Sequence, residues 1–269
     1  MCEASGRGGL KFSIVTLSFN QGKFLEEAIL SVIRQDYPDI EYIIVDPGST
    51  DGSREIIEKY RRSIAKIIFE EDNGPADGLN KGFRAAKGDI LGYINADDYY
   101  EPAAFTHVAE IFKNKQDVAV VNGAIRIVDG RGRAKWRRRM SDAFDLENFA
   151  EGMCWVGQQA TFFRKTVFGN PVTFNSGNRT CWDAEFLVDL ALNGCLFHRH
   201  PKVLGNFRVH EGSITGSGRL ESLYRQDIDR IRKIISRSIT RRRPGYVNAL
   251  LRVMYKFDIR RQFMNYTVR

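Results

Sequence analysis

The sequence predicts an α/β fold with a mostly parallel central sheet and a helical C-terminal extension. Through the first hundred or so residues, short apolar runs alternate with amphipathic stretches of helical spacing, which is typical of parallel βαβ units. Polar and acidic side chains follow three of these runs, at the strand ends where open parallel sheets bind ligands. The chain then becomes basic and helical in pattern after about Arg219.

The first part of the chain supplies four strands and three helices. The strands are FSIVTLS, IEYIIVD, IAKIIFEE and LGYIN. The stretch NQGKFLEEAILSVIRQ predicts a helix with Asn20 as its N-cap, and PGSTDGS predicts a turn into a second helix capped by Asp51 or Ser53. A loop and a short helix are expected in GPADGLNKGFRAAKGD.

The second part begins with a helix after Pro102, followed by VAVVNGAIRIV and the turn DGRGR, which predict a hairpin. TFFRKTVF predicts a strand, CWDAEFLVDLALN a helix with Thr180 as N-cap, and LFHRHPKVLGNFRVH an extended segment. Two amphipathic helices are expected after that. We therefore expect one domain over residues 1–217, with halves at about 10–102 and 103–217, and a basic helical extension over 218–269.

Composition narrows the class of protein. The 41 Lys and Arg against 33 Asp and Glu give a net charge of +8, which favours anionic partners such as phosphates, nucleic acid or an acidic membrane surface. The N-terminus lacks an apolar signal core, no apolar run approaches a membrane span, and the four cysteines lack metal-site spacing. We expect free thiols and a cytoplasmic location, with the basic extension resting on the inner face of the cell membrane.

Three predicted strand ends carry polar side chains that should meet in one crevice. They are Thr16, Ser18 and Asn20 after the first strand, Asp46 after the second, and Asn95, Asp97 and Asp98 after the fourth. Each position alone fits a cap or a turn former, but their convergence favours a ligand site. A carboxylate at Asp46 can accept from a pyrimidine N–H or a ribose hydroxyl, and the paired carboxylates Asp97 and Asp98 suit Mg²⁺ or Mn²⁺ bridging a diphosphate.

The ordered motifs FSIVTLSFNQGKFLEEAILSVIRQDYPDIEYIIVDPGSTDGS and DNGPADGLNKGFRAAKGDILGYINADDYYEP resemble glycosyltransferase family 2. The resemblance continues more loosely through CWDAEFLVDLALNG and FRVHEGS to about residue 217. It implies a GT-A type, Rossmann-like nucleotide-binding domain. It also implies inverting transfer of a sugar, with a UDP-sugar as the expected donor, to a glycan or lipid-linked saccharide in surface polysaccharide synthesis, with Mn²⁺ or Mg²⁺ as cofactor.

The resemblance also implies roles for individual residues. Asp46 holds the base and ribose, Asn80 and Asn95 border the donor, Asp97 and His210 bind the metal, Arg208 lies near the diphosphate, Asp183 is the general base, and Gln158 and Gln159 face the acceptor. Two positions depart from the family pattern: Asn95 replaces the first Asp of the metal motif, and Pro47 replaces an Asp. Asp183 falls in the first turn of a predicted helix, where the dipole favours the ionised carboxylate that a base requires.

Other functions stay open at this stage. A nucleotidyltransferase also combines an α/β fold with acidic metal ligands, but SFNQGKF lacks its glycine-rich activating loop. A basic nucleic-acid-binding protein is less favoured, since the acids concentrate at the ligand edge and no nucleic-acid motif is present. An inactive relative is a third alternative, because Asn95 departs from the metal motif.

The basic tail predicts a membrane-facing helix. Apolar residues at helical spacing lie beside many arginines, which suits the surface of an anionic bilayer. They are Tyr246, Leu250, Leu251, Met254, Tyr255 and Phe257.

Overall fold

The computed structural model describes residues 9–169, 172–213, 220–239 and 243–256. Nine strands are present in these ranges: β1 Phe12–Leu17, β2 Ile40–Val45, β3 Lys66–Ile68, β4 Ile90–Asn95, β5 Tyr99–Tyr100, β6 Val118–Asp129, β7 Ala134–Arg139, β8 Thr161–Arg164 and β9 Leu196–Val209. The helices there are α1 Gly22–Ile33, α2 Ser53–Lys59, α3 Pro75–Ala85, α4 Ala104–Asn114, α5 Leu146–Ala150, α6 Trp182–Leu192, α7 Glu221–Ser238 and α8 Gly245–Lys256. Short 3₁₀ turns cover Arg61–Ser63, Gln158–Ala160 and Lys165–Val167.

The strands form one sheet in the order β3-β2-β1-β4-β8-β6-β9-β5, with β7 paired to β6. The first four strands of this order are parallel, and β1 lies between β2 and β4 with Leu17 opposite Val45 and Asn95. The other half is mixed, because β8 runs antiparallel to β4 and β6 while β9 runs parallel to β6. The predicted α/β fold is confirmed, and β6 and β7 form the predicted hairpin.

Two apolar layers cover the sheet, and the alternation of side chains along β1 divides its residues between them. Phe12 and Ile14 pack in the layer under α1 and α4, whereas Val15 packs in the layer under α3 and α6. The covering helices contribute residues at helical spacing, such as Leu25, Ile29 and Val32 from α1. The parallel strands are therefore buried on both faces, so polar side chains that contact a ligand are expected at the strand ends.

Two predicted N-caps are wrong. Helix α1 begins after Gln21 and has no side-chain cap, since Asn20 lies in the loop before it at φ 51°. The Asp51 carboxylate takes over this role, because it accepts from the Gly22 amide of α1 at 2.8 Å and from the Ser53 amide of α2 at 3.1 Å. Helix α6 begins after Cys181, and the Thr180 hydroxyl donates to Asp227 of α7 instead of capping α6.

Helix α7 packs directly on the sheet-bearing part of the chain. Its Ile231 and Ile235 form a buried cluster with Cys181 and Val188 around α6. The predicted domain boundary at 217/218 lies outside the described residues.

Helix α8 is held by polar contacts to α5. Arg243 pairs with Asp145 and Glu147, and Arg252 pairs with Glu151. Phe257, predicted for the apolar face of this helix, lies outside the described residues. None of the helices in the described part of the chain has the length and apolar content that a membrane-spanning helix requires. Cys154, Cys181 and Cys195 are free thiols, as predicted.

Candidate active site

The carboxyl ends of the parallel strands meet at one edge of the sheet. Beyond the strands, the Ser18 amide donates to Val45, the Ala96 amide to Leu17 and the Asp46 amide to Ile68, each at 2.9–3.0 Å. The loops after β1 and β2 are also joined. The Asn20 amide donates to the Ser49 hydroxyl and the Asn20 side chain accepts from the Thr50 amide, both at 2.9 Å.

Asp46 is fully buried at this edge and has one oxygen without a partner. Its Oδ1 accepts from the amides of Ser49 and Gly48 and from the Arg54 guanidinium at 2.8, 3.1 and 3.1 Å. Its Oδ2 makes no hydrogen bond to any described residue, and the same holds for the buried hydroxyl of Ser18. Burial alone would raise the pKa of Asp46, but the hydrogen bonds from Ser49 and Arg54 outweigh it and lower the pKa. Buried polar atoms without partners are rare, so these two suit a ligand.

The adjacent carboxylates after β4 have different surroundings. Asp97 faces His210, whose Nε2 is 3.1 Å from Asp97 Oδ2. Asp98 is buried and accepts from the Arg208 amide and from the Gln159 side chain, both at 2.8 Å. Burial and the neighbouring charge of Asp97 raise the pKa of Asp98 well above its ordinary value. Asp98 therefore ties the end of β4 to β9, while Asp97 is directed toward a histidine.

The pair of Asp97 and His210 fits a divalent metal ion. Within the described residues, no cluster of three or more His, Cys, Asp or Glu side chains has the arrangement of a metal site. A carboxylate and an imidazole next to each other still suit Mn²⁺ or Mg²⁺, because such ions keep several ligand positions for water and substrate phosphates.

Arg208 has partners that differ from the prediction. Its side chain is buried rather than at the surface, and the guanidinium donates to the carbonyl of Asp97 at 2.8 Å and pairs with Glu27. The aromatic rings of Phe24 and Tyr99 lie against the guanidinium at 4.8 and 5.4 Å from their centroids. The contact of Arg208 with a diphosphate stays a prediction, and in this structure the side chain holds the backbone of Asp97.

Three other predicted donor contacts have partners within the protein. Thr16 points into the core under α1 and accepts from the Tyr42 hydroxyl at 2.9 Å, because the strand alternation places it on the same face as Ile14. The Asn80 amide is paired on both sides with the backbone of Phe174. Asn20 joins two loops, as described above. The side chains of Thr16 and Asn80 are thus held by partners within the protein, and Asn20 connects the loops after β1 and β2.

Asp183 lies in a cavity of about 510 Å³ next to the sheet edge. Asn95, Gln158 and Gln159 line the same cavity, and the Asn95 amide is 3.4 Å from Gln158 Oε1. Burial raises the pKa of Asp183, and the amide of Ala184 opposes this only in part. The dipole argument from the sequence is thus outweighed by desolvation. A carboxylate with a raised pKa is a stronger base once it is ionised.

The three predicted acids are not all in one cavity. Asp183 lines the cavity together with Asn95, whereas Asp46 and Asp97 do not, although Asp97 follows Asn95 by two residues.

Asp72 and Arg179 were missed by the sequence reasoning. A Cβ on Gly78 would lie 2.8 Å from Asp72 Oδ2 and 3.0 Å from the Leu17 side chain, so Asp72 and the end of β1 both approach Gly78 closely. A Cβ on Gly74 would lie 3.0 Å from the Arg179 guanidinium, so Arg179 reaches from the Asp183 loop to the donor half. The signal for Asp72 was the polar run EDNGPADG, which follows the end of β3. This strand end was not among the three that the sequence analysis considered.

The family of the protein follows from comparison with known proteins. A model described as glycosyl transferase family 2 matches residues 13–181, more than half of the chain. The chain belongs to glycosyltransferase family 2. The fold predicted from the resemblance, a GT-A type domain, is confirmed.

Family 2 relatives differ in length and in bound ligand. An uncharacterized glycosyltransferase from Nostoc sp. is 35% identical over 124 residues, which are 45% of this chain and 38% of that protein. This chain therefore spans well under half the length of that relative. S. aureus TarS 1–349, solved with UDP-GlcNAc, has a TM-score of 0.66 at 21% identity over 84% of this chain and 66% of that one.

The family 2 fold also matches the mannosyltransferase PcManGT from Pyrobaculum calidifontis, solved with GDP-Man and Mn²⁺. The TM-score is 0.63 at 16% identity, over 96% of this chain and 73% of that chain. At these identities, both structures establish the likeness in fold alone.

Proposed function

We propose that this protein is an inverting glycosyltransferase that moves a sugar from a UDP-sugar to a hydroxyl of a glycan or lipid-linked saccharide. The observation that carries the proposal is the exit of β4. There Asn95 lines the cavity of Asp183, and two residues later Asp97 faces His210 at 3.1 Å. The Asp97–His210 pair could bind a metal ion with its diphosphate, and Asp183 could act as a base. Both are near the end of the same strand.

The donor is held by the edge of the parallel strands. Asp46 Oδ2 accepts from a base N–H or a ribose hydroxyl, and the Ser18 hydroxyl is available to the same ligand, since both lack described partners. Asp97 and His210 hold Mn²⁺ or Mg²⁺, with Arg208 fixing the backbone of Asp97. When bound, the ion neutralises negative charge on the diphosphate leaving group.

Asp183 acts as the general base. Its ionised carboxylate accepts the proton of the acceptor hydroxyl while that oxygen forms a bond to the anomeric carbon. The bond from the anomeric carbon to the phosphate oxygen breaks on the opposite face, and its electron pair stays with the diphosphate. The configuration inverts, and no covalent intermediate with the protein is required.

The choice of UDP rests on the chemistry of Asp46 and on one structural relative. A carboxylate suits the single N–H of a uracil ring, and TarS was solved with UDP-GlcNAc. PcManGT was solved with GDP-Man and Mn²⁺, which supports a divalent ion and makes GDP the principal rival base. Surface polysaccharide synthesis, at the inner face of the cell membrane, is the setting we propose for this reaction.

Helix α8 supports membrane attachment through its apolar face. Tyr246, Leu250, Val253 and Met254 are 51–77% exposed on this helix. The arginines Arg243 and Arg252 pair with acids near α5, so the predicted attraction of basic groups to anionic lipid is weaker than the sequence suggests. We propose that the apolar side chains contribute most of the attachment.

A thermal-shift panel of nucleotide sugars, with and without Mn²⁺, tests the function. We expect UDP-sugars to raise the unfolding temperature only when Mn²⁺ is present, because Asp97 and His210 would hold an ion that offsets the charge of the diphosphate. Stabilisation by nucleoside triphosphates but by no nucleotide sugar would favour a nucleotidyltransferase. If neither class of nucleotide stabilises the protein, the proposed function is wrong.

A further inference from the structure

The cavity beside Asp183 is lined by both polar and apolar side chains. The polar ones include Asn95, Gln158, Gln159, Thr180 and Asp183. Apolar ones come from α5, α7 and other segments, and they include Phe144, Phe149, Trp155, Tyr224 and Ile228. These five apolar side chains are called the aromatic chamber below.

Most polar groups near the chamber are already paired within the protein. Gln159 donates to Asp98 at 2.8 Å, Thr180 donates to Asp227 at 2.7 Å, and Gln158 donates to the Tyr93 carbonyl at 3.2 Å. A sugar needs several hydrogen-bond partners for its hydroxyls when water is removed. The chamber offers few, so it is poorly suited to hold a second sugar ring.

Apolar surface is left open inside the chamber. Phe144, Phe149 and Ile228 pack only in part against the cluster around Val188 and Ile231. Phe144 stacks on Phe197 with a centroid distance of 4.7 Å, which fixes the position of this wall. An apolar ligand group that covers these side chains would gain free energy from the buried area.

Helix α7 brings the chamber close to Asp183. Tyr224 is 47% exposed. Tyr224 lines the same cavity as Asp183 and Cys181. The chamber and the carboxylate therefore belong to one binding space.

We propose that the acceptor is amphipathic. It carries its reactive hydroxyl within a few bonds of an apolar group, either an aromatic ring or the first carbons of a lipid chain, and this group occupies the aromatic chamber. Tyr224 and Ile228 of α7 determine acceptor specificity. This inference rests on the proposed glycosyltransferase function, since it assigns the other substrate of the same site.

Binding of matched glucosides to the full chain tests the inference. The probes are methyl, phenyl and n-octyl β-glucoside, used below micelle concentration with UDP and Mn²⁺ present, and the readout is tryptophan fluorescence. We expect phenyl or octyl glucoside to bind about tenfold more tightly than methyl glucoside, because the aglycone buries apolar area. Tighter binding of the phenyl compound would indicate an aromatic acceptor, and tighter binding of the octyl compound a lipid.

Tyr224→Ala and Ile228→Thr should each remove this preference. Tyr224 is half exposed, so its truncation leaves the core intact, and Leu196→Ala at the exposed start of β9 is the matched control that should keep the preference. Equal binding of all three glucosides, or a preference that survives both chamber variants, would overturn the inference. The nucleotide-sugar thermal shift is measured on the same variants. If nucleotide sugars raise the unfolding temperature but the preference for apolar aglycones is absent, only the inference fails. If nucleotide sugars do not raise the unfolding temperature of the unsubstituted protein, the proposed function itself is refuted.

Discussion

The Arg230 guanidinium of α7 donates to both oxygens of the buried Glu185 carboxylate of α6, at 2.7 Å for the Nη2–Oε2 pair. Glu185 also accepts from the side chains of Asn178 and Asn175, which lie in the loop before Asp183. The extension helix thus anchors the segment that carries the proposed base. The sequence suggests that α7 is part of an appendage, but in the structure this helix supports the candidate site.

Arg230→Ala should lower the free energy of unfolding by about 2 kcal/mol, because the buried Glu185 loses its ionic partner. Denaturant unfolding at neutral pH measures this. The matched control is Arg225→Ala on the same helix, whose pair with Glu221 is exposed and should contribute under about 0.5 kcal/mol. Equal losses in the two variants would contradict the anchoring role.

The same pair predicts a pH dependence of stability. Burial raises the pKa of Glu185, but the bonds from Arg230 and Asn178 outweigh burial and lower the pKa below its ordinary 4.5. A lowered folded-state pKa gives stability that is present above 4.5 and lost as the pH falls through the folded value. In Arg230→Ala, the free energy of unfolding should decrease less as the pH is lowered, which denaturant unfolding curves at several pH values measure.

Asp183→Asn should reduce sugar transfer about a hundredfold to ten-thousandfold while the donor still binds, because only the proton acceptor is removed. In the unsubstituted enzyme, activity should fall as the pH drops through the Asp183 pKa, which burial raises above its ordinary 3.8. The readouts are kcat/KM across pH and the nucleotide thermal shift.

Asp189→Asn is the control for that profile. Asp189 lies on the same helix and has a pKa raised to about 6, so its protonation could also cause the fall of activity at acid pH, called the acid limb of the profile. We expect the acid limb to persist in Asp189→Asn. Full activity of Asp183→Asn, or loss of the limb in the Asp189 variant, would remove the base role of Asp183.

Ser18→Ala should weaken nucleotide-sugar binding about fivefold to tenfold without loss of stability. The Ser18 hydroxyl has no described partner in the free protein, so its removal breaks no internal bond. Ser13→Ala gives the opposite pattern, because the Ser13 hydroxyl accepts from the Gly88 amide and bonds to Glu41. Calorimetric binding and thermal unfolding of the two variants make the comparison, and unchanged affinity in Ser18→Ala would exclude the contact.

His210→Ala should raise the Mn²⁺ concentration needed for half-maximal activity about tenfold or more and reduce any preference for Mn²⁺ over Mg²⁺, because an imidazole ligand favours Mn²⁺. Metal titrations after chelation measure this. His107→Ala is the control, because this histidine of α4 lies against His200 and not against Asp97. Identical titrations for the two variants would place the metal elsewhere.

Substitution of both Leu250 and Met254 by Gln should abolish flotation with anionic liposomes, since these side chains are 60% and 59% exposed on one helix. Leu196→Gln is the control, because Leu196 is similarly exposed but lies at the start of β9. If the double variant floats as well as the unsubstituted protein, α8 does not attach to membranes.

The sequence by itself determined most strands and helices, although the short β5 and α5 were not predicted. It also placed Asp46 and Asp97 after strands and Asp183 in the first turn of a helix. These features depend on local periodicity and on turn residues, which are visible along a short stretch of chain. The sequence analysis assigned Thr16 to the donor crevice, although the period of two along β1 already places Thr16 on the core face with Ile14.

Only the tertiary structure decided which polar groups remain available to a ligand. Arg208, Asn80 and Thr180 are each taken up by partners many residues away, Asp97, Phe174 and Asp227 respectively. Because α7 packs on α6, side chains of the extension line the Asp183 cavity. The reason is physical: a side chain's hydrogen-bond partner and its desolvation depend on which distant segments pack against it, and no local pattern encodes that choice.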